Sequence, residues 1–148
     1  MKAVVQRVGE GTLSVEGREV SRIGAGLVCY LGVGAGDTSQ DLDWLAKKVA
    51  RLRIFPDAEG RMNRSAVDEG LGILVVPQFT LFGDIRNGYR PSFTGAEAPD
   101  RANALFVAFQ DKLREYGIRT VAAGVFGADM TIVQVNRGPV TILLDSRA

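Results

Sequence analysis

Histidine is absent from the 148 residues, and cysteine occurs once, as Cys29. Without imidazole there is no Ser-His-Asp triad, no histidine general base and no His-ligated zinc. One thiol excludes both a thiolate zinc site and an internal disulfide, so neither a metal nor a disulfide framework is expected. Cys29 sits in the apolar run GLVCYLGV and reads as a small core hydrophobe. Reduced, single-cysteine usage points to the cytoplasm. Long apolar runs are missing too, so no membrane span is expected. The opening MKAVVQRV reads as a strand and lacks the apolar centre of a signal peptide. Excess charge of either sign is also lacking: 18 Lys and Arg stand against 17 Asp and Glu. There is no global basic field, and any nucleic-acid contact must come from a local patch.

What is present is ordinary in bulk. Hydrophobic residues make up 46% and charged residues 24%, which suits one globular domain over residues 1–148 with a real core. Residues 2–8 read as a strand. TLSVEGREVSRI reads as a hairpin turning at Glu16-Gly17. GLVCYLGV is a continuous apolar run, the mark of a central strand. A helix is expected from Ser39, where Leu42, Leu45, Val49 and Leu52 recur at helical spacing. Asp41 and Asp43 come early and Lys47, Lys48 and Arg51 late, as the helix dipole favours; these three cations read as a solvated face. RLRIFP is a short strand, DAEGRMNRS a polar loop, and GILVVPQFTLF a further strand. A long loop rich in Gly, Pro and Arg follows, and such loops are often functional. A second helix is expected over residues 99–116, with Ala102, Leu105, Phe106, Phe109 and Leu113 on one face. RTVAAGVF and MTIVQVNRGPVTILLDS close the chain as strands, the latter interrupted at 136–139. Several strands with two main helices give an α+β domain with a mostly antiparallel sheet.

Two stretches break their own pattern. LVVPQFTLFGD starts as a buried strand, then meets Pro77, which removes a backbone donor, and the polar Gln78 and Thr80. NRGPVT, residues 136–141, interrupts two good strand sequences with Gly138 and Pro139, neither of which suits a central ladder. A hairpin turn or bulge accounts for NRGPVT; so does a Gly-Pro backbone held out to meet a ligand.

Together VPQFTLFGD and NRGPVT resemble the paired signature of the D-aminoacyl-tRNA deacylase family, the D-Tyr-tRNA deacylases. The likeness extends through MKAVVQRV, GLVCYLGVGAGDT, WLAKKVARLRIFPD, NGYRPSF, FGADM and the terminal LLDS. One position departs: Pro77 stands where the family usually has serine, and a related branch of the fold has proline there. The resemblance implies a β-barrel-like α+β domain of the DTD-like fold, working as a homodimer without a cofactor. It implies hydrolysis of the ester joining a D-amino acid, or glycine, to the 3′-terminal adenosine of tRNA. L-aminoacyl-tRNA is spared, which makes the reaction a chiral proofreading step in translation quality control.

On that resemblance the catalytic residues are Gln78, Phe79 and Thr80, with backbone amides around Phe79 and Thr80 facing the ester carbonyl. Gly138 and Pro139 reach the partner's site and select chirality, flanked by Asn136, Val140 and Thr141 and braced by the guanidinium fork of Arg7. Individual roles stay open on the residues alone. The Thr80 hydroxyl is either a positioning group or a nucleophile, and no base is evident to activate it. Gln78 either binds the terminal adenosine, orients Thr80 or bonds neighbouring backbone. Phe79 packs or stacks. Arg7 on its own reads equally as a surface arginine. Arg86, Asn87, Tyr89 and Arg90 offer cation and aromatic contacts suited to RNA ends, or form a solvated loop. A non-catalytic RNA-end binder and a small esterase using Thr80 remain as competing functions.

Overall fold

The first strand sets the plan of the molecule, whose computed structural model describes Met1–Ala148. Strand β1 runs Lys2–Val15, long enough to serve two neighbours on one side. Its first half pairs antiparallel with β3 (Gly26–Gly32), and its second half with β2 (Arg18–Ile23). The β1–β2 turn falls at Glu16-Gly17, with φ of 51° and 73°, the left-handed pair that a tight hairpin needs. On its other side β1 is lined along its length by β8 (Met130–Asp145), also antiparallel.

Beyond β3 the sheet changes character. β6 (Gly72–Pro77) pairs parallel with β3, and β7 (Val121–Ala123) pairs parallel with β6. The sheet is mostly antiparallel, as expected from the sequence, and the two parallel ladders at this side make it mixed. The physical reason lies in the connections, since parallel neighbours need crossovers. Helix α1 (Ser39–Arg51) lies between β3 and β6, and α3 (Pro99–Glu115) between β6 and β7. β3 and β6 are also buried almost throughout, as parallel strands covered on both faces are. β2 curls against β6 and β7, so the sheet nearly closes into a barrel. Gly26 and Gly72 permit the close approach where β3 meets β6: a Cβ on Gly26 would lie 2.0 Å from the Gly72 carbonyl oxygen.

Helix α1 starts at a capping box in which Thr38 and Asp41 satisfy each other's backbone amides, removing orphan donors at the helix start. It buries Leu42, Leu45 and Val49 against the sheet. Beside it α3 buries Phe106, Phe109 and Leu113. A smaller cluster, including Val8, Leu13, Val28 and Leu74, fills the opposite face inside the curl. Cys29 is fully buried, and burial pushes its thiol up to about 12. The stretch expected as the strand RLRIFP pairs only at β4 (Phe55–Pro56), with β5 (Met62–Arg64). A third, short helix, α2 (Ala66–Glu69), is capped by Ser65 and Asp68 and stopped by Gly70.

The two ends of the chain are clamped together. The Met1 ammonium is buried against Asp37 at 2.7 Å and Ser146 Oγ at 2.6 Å. Arg147 reaches the same Asp37 oxygen at 2.6 Å. This fixes the start of β1 and the end of β8 beside the α1 cap.

Candidate functional site

GILVVPQFTLF is not one strand. β6 stops at Pro77, and Phe79–Phe82 form a single 3-10 turn. Pro77 has no N–H to extend the ladder, and Gln78 N makes the last bond to β3, donating to Leu31 O at 2.8 Å. The turn's own hydrogen bonds begin at Leu81 N, which donates to Gln78 O. The amides of Phe79 and Thr80 precede that first bond, as the leading N–H groups of any such turn do.

This turn borders a cavity of about 630 Å³. Pro77, Gln78 and Phe79 form one wall, Ala102 and Phe106 of α3 another, and Phe126 and Met130 a third. Phe93 stands edge-on to Phe79, with ring centroids 5.0 Å apart. Phe79 is 56% exposed, so its ring is available at the mouth. Glu97 is the one ionisable residue in the lining. Its carboxylate is held below the usual range, chiefly by the Ala98 amide, then by the Gly36 amide and Arg101. A carboxylate so satisfied is a poor proton acceptor. Gln78 Nε2 donates to the Thr80 hydroxyl. An amide donor cannot remove the hydroxyl proton, so this contact orients Thr80 without activating it.

NRGPVT lies elsewhere. It lies within β8 and forms an outward bulge there, one of the two forms expected of it: the ladder with β1 skips residues 137–140. Gln6 faces Thr141 and Val8 faces Asn136, so Arg7 alone stands opposite residues 137–140. The Gly138-Pro139 bond is cis, and Gly138 has φ of 125°. A Cβ there would lie 3.0 Å from Val140 N and 3.1 Å from Arg7 Nη2, so glycine is required. Arg7 Nε donates to Arg137 O at 3.1 Å and Nη1 to Ile54 O at 2.7 Å. Asn136, Gly138, Pro139 and Thr141 are exposed and Val140 is half-buried. None of residues 136–141 lines the cavity beside Phe79. Within one chain the two signature stretches are thus kept apart.

The sequence reading missed what holds the feet of this bulge. Gln134 Nε2 donates to Asn136 Oδ1 at 2.5 Å and to Gln6 Oε1 at 2.8 Å, and Gln6 Nε2 donates to Thr141 Oγ1 at 3.3 Å. Tyr30 OH donates to Gln134 Oε1 at 2.7 Å. The only signal was two glutamines in otherwise apolar strands. Lys47, Lys48 and Arg51 are exposed on α1, with Lys48 over the Trp44 ring at 5.6 Å. No helix is long and apolar enough to cross a membrane.

An apolar cleft bordered by the start of a 3-10 turn, whose one carboxylate is already engaged, suits hydrolysis of an already reactive acyl bond. The sequence model of the D-Tyr-tRNA(Tyr) deacylase family matches residues 4–145, and the chain belongs to that family of hydrolases. It is 53% identical over 146 residues to the D-aminoacyl-tRNA deacylase of Desulfitobacterium hafniense, covering 99% of this chain and 97% of that one. The D-aminoacyl-tRNA deacylase of Syntrophobacter fumaroxidans is 50% identical over 147 residues, covering 99% and 98%. Among solved structures, the c-Myc DNA Unwinding Element Binding Protein superposes with a TM-score of 0.94 at 38% identity, over 100% of both chains. A probable eukaryotic D-amino acid tRNA deacylase shares the fold, with a TM-score of 0.80 at 21% identity over 97% of each chain.

Proposed function

We propose that this chain hydrolyses the ester between a D-amino acid, or glycine, and the 3′-terminal adenosine of tRNA, sparing L-aminoacyl-tRNA. The reading rests on one observation: the Phe79 and Thr80 amides open a 3-10 turn at the rim of an apolar, aromatic cavity. The cavity takes the terminal adenosine, whose base is held by aromatic and aliphatic walls. The two amides stabilise the oxyanion that forms on the ester carbonyl. Water adds to the carbonyl carbon, the acyl–oxygen bond to the ribose breaks, and the proton passes to the released ribose oxygen. The neighbouring 2′-hydroxyl of the substrate relays that proton, since the protein wall offers no free base. The products are the amino acid and deacylated tRNA.

Chirality is selected by Gly138 and Pro139 of a second copy. Their exposure on β8, their distance from their own cavity, and the exposed Val133, Val135 and Leu143 on the same strand support a homodimer built on this face. A backbone wall facing the α-carbon admits hydrogen or a D side chain and clashes with an L side chain. The setting is the cytoplasm, where aminoacyl-tRNA is used.

Deacylation of D-Tyr-tRNA, L-Tyr-tRNA and D-Tyr methyl ester tests the reading. Turnover of D-Tyr-tRNA alone is expected. Binding without turnover would make the chain an RNA-end binder, and turnover of the methyl ester would make it a small-molecule esterase.

A further inference from the structure

The loop that leaves the cavity rim is built to present side chains outward. Asp84 and Ser92 close its neck with two backbone hydrogen bonds, of 2.8 and 2.9 Å. Residues 85–91 project beyond that neck. Asp84 also accepts from the Arg86 amide at 3.0 Å and grips the Arg86 guanidinium with both oxygens. The loop is therefore stiffened from within. At its tip Tyr89 is fully exposed, and Arg90 is exposed and paired with no carboxylate. A large aromatic ring held entirely in water has no packing role in the chain itself.

The base of the loop carries a second hollow, of about 510 Å³, lined by Lys2, Phe82, Gly83, Arg86 and Gly95 among others. Lys2 Nζ sits 4.9 Å from the Phe82 ring centroid and 3.9 Å from the Asp145 carboxylate, and Lys2 lines the hollow. Asp84 shares this lining and is paired with Arg86, so the hollow offers a phosphodiester the Lys2 ammonium and two glycine backbones. The position matters as much as the chemistry. Phe93, one residue past the neck, lines the main cavity and touches Phe79. A polynucleotide whose last base lay in that cavity would leave it over the neck.

We infer that the 84–92 loop and the hollow at its base bind the single-stranded nucleotides immediately preceding the terminal adenosine, Tyr89 stacking on a base and Lys2 and Arg90 meeting phosphates. The inference rests on the function proposed above and deepens it. Aromatic stacking with backbone cations reads any base, so this surface supplies affinity for the strand and leaves selection of the amino acid to the cavity side.

The test separates RNA binding from hydrolysis. Wild type is compared with a Tyr89→Ala, Arg90→Ala double variant and with Tyr89→Phe. Binding of a non-acylated RNA hairpin with a short single-stranded 3′ tail is followed by fluorescence anisotropy at several salt concentrations. Hydrolysis is measured on D-tyrosyl-tRNA and on 3′-O-D-tyrosyl adenosine, which lacks the preceding nucleotides. The double variant is expected to bind the hairpin about tenfold or more weakly, as loss of one stacked base implies, with a shallower salt dependence. Its loss in kcat/KM on the tRNA should exceed its loss on the adenosine ester at least tenfold, and Tyr89→Phe should keep wild-type affinity. Equal hairpin affinity in wild type and double variant, or equal losses on the two esters, overturns the inference while leaving hydrolysis standing. A changed oligomer size with unchanged RNA affinity makes the loop a protein contact and overturns it too. If no protein hydrolyses D-tyrosyl-tRNA but hairpin affinity still falls in the double variant, the proposed reaction fails and the loop assignment stands.

Discussion

Arg7 is the one residue of β1 opposite the outward bulge of β8, and its Nε holds the Arg137 carbonyl, the last before Gly138. The same guanidinium holds the Ile54 carbonyl at 2.7 Å, so it pins the bulge to the segment after α1. Arg7→Ala leaves two carbonyls without their charged donor, a loss of about 1–3 kcal/mol. The expected result is a lower Tm and at least fivefold weaker discrimination between D- and L-Tyr-tRNA. Arg7→Lys should recover stability more than discrimination, since an ammonium lacks the fork. Unchanged rates on both enantiomers in Arg7→Ala would reduce Arg7 to a structural tie.

Thr80 is tied to Gln78 and to no base. Thr80→Val should therefore keep measurable deacylation of D-Tyr-tRNA. A tRNA ending in 2′-deoxyadenosine should lose about a hundredfold in rate, the scale of a missing acid–base group. Thr80→Val falling to the uncatalysed rate with its fold and tRNA binding intact would make the hydroxyl the nucleophile. Normal turnover of the deoxy substrate would remove the 2′-hydroxyl from the reaction.

Pro77 ends β6 at the cavity wall. Pro77→Ser frees the unfolded chain and should cost about 0.4–1 kcal/mol, read by urea denaturation. The fold should survive, and relative rates on D-aminoacyl-, glycyl- and L-aminoacyl-tRNA should shift, because the new hydroxyl lines the cavity. Identical rate ratios in the two proteins would show that position 77 does not tune the substrate range.

Asp37 is buried beneath the Met1 ammonium and Arg147, and its other oxygen accepts from Gly34 N at 2.5 Å. Asp37→Ala leaves a buried ammonium without a counter-charge, a change that costs about 3–5 kcal/mol. Equilibrium unfolding should record a loss of that order. A loss under about 1 kcal/mol would mean that water reaches the cluster and screens it.

Cys29 has its pKa raised from 9.0 to about 12 by burial. Between those values the unfolded chain has lost the thiol proton and the folded chain still binds it, so stability falls as pH rises. Below pH 9 the contribution is fully present. Cys29→Ala should flatten the alkaline limb of a stability-against-pH curve. The native thiol should also resist a disulfide reagent at pH 8 until denaturant is added; rapid native labelling would contradict the burial.

Local chemistry was legible where neighbours in sequence decide the structure. The early Asp41 and the spacing of Leu42, Leu45 and Val49 mark α1 from its start at Ser39, although Leu52, expected in the same pattern, is the residue that caps its end, and Glu16-Gly17 marks its hairpin turn. The polar turn at residues 78–80 was visible as an anomaly. Its 3-10 form was not, because Leu81 and Phe82 carry the apolar pattern of a continuing strand. The parallel pairing of β3 with β6 was hidden as well: Gly26 and Gly72 look like turn residues, and only their contact across the sheet explains them. The Gln6–Gln134 hydrogen bond joins residues 128 apart. No local pattern reports such a pair, although it anchors both feet of the most distinctive motif in the chain.

The pairing of β1 with β8 also sets the order in which the molecule can be made. A ribosome delivers β1 first, and β2 and β3 can dock on one side of it while synthesis continues. Its other edge stays open until residues 130–145 emerge. For that interval a row of unpaired amides and carbonyls is exposed, the kind of edge that recruits a strand from a neighbouring chain. Arg7 cannot find Arg137 until that edge is closed. The bulge bearing Gly138 and Pro139 is thus among the last features to form, and a chain cut short before β8 has an adhesive flank and lacks the bulge altogether.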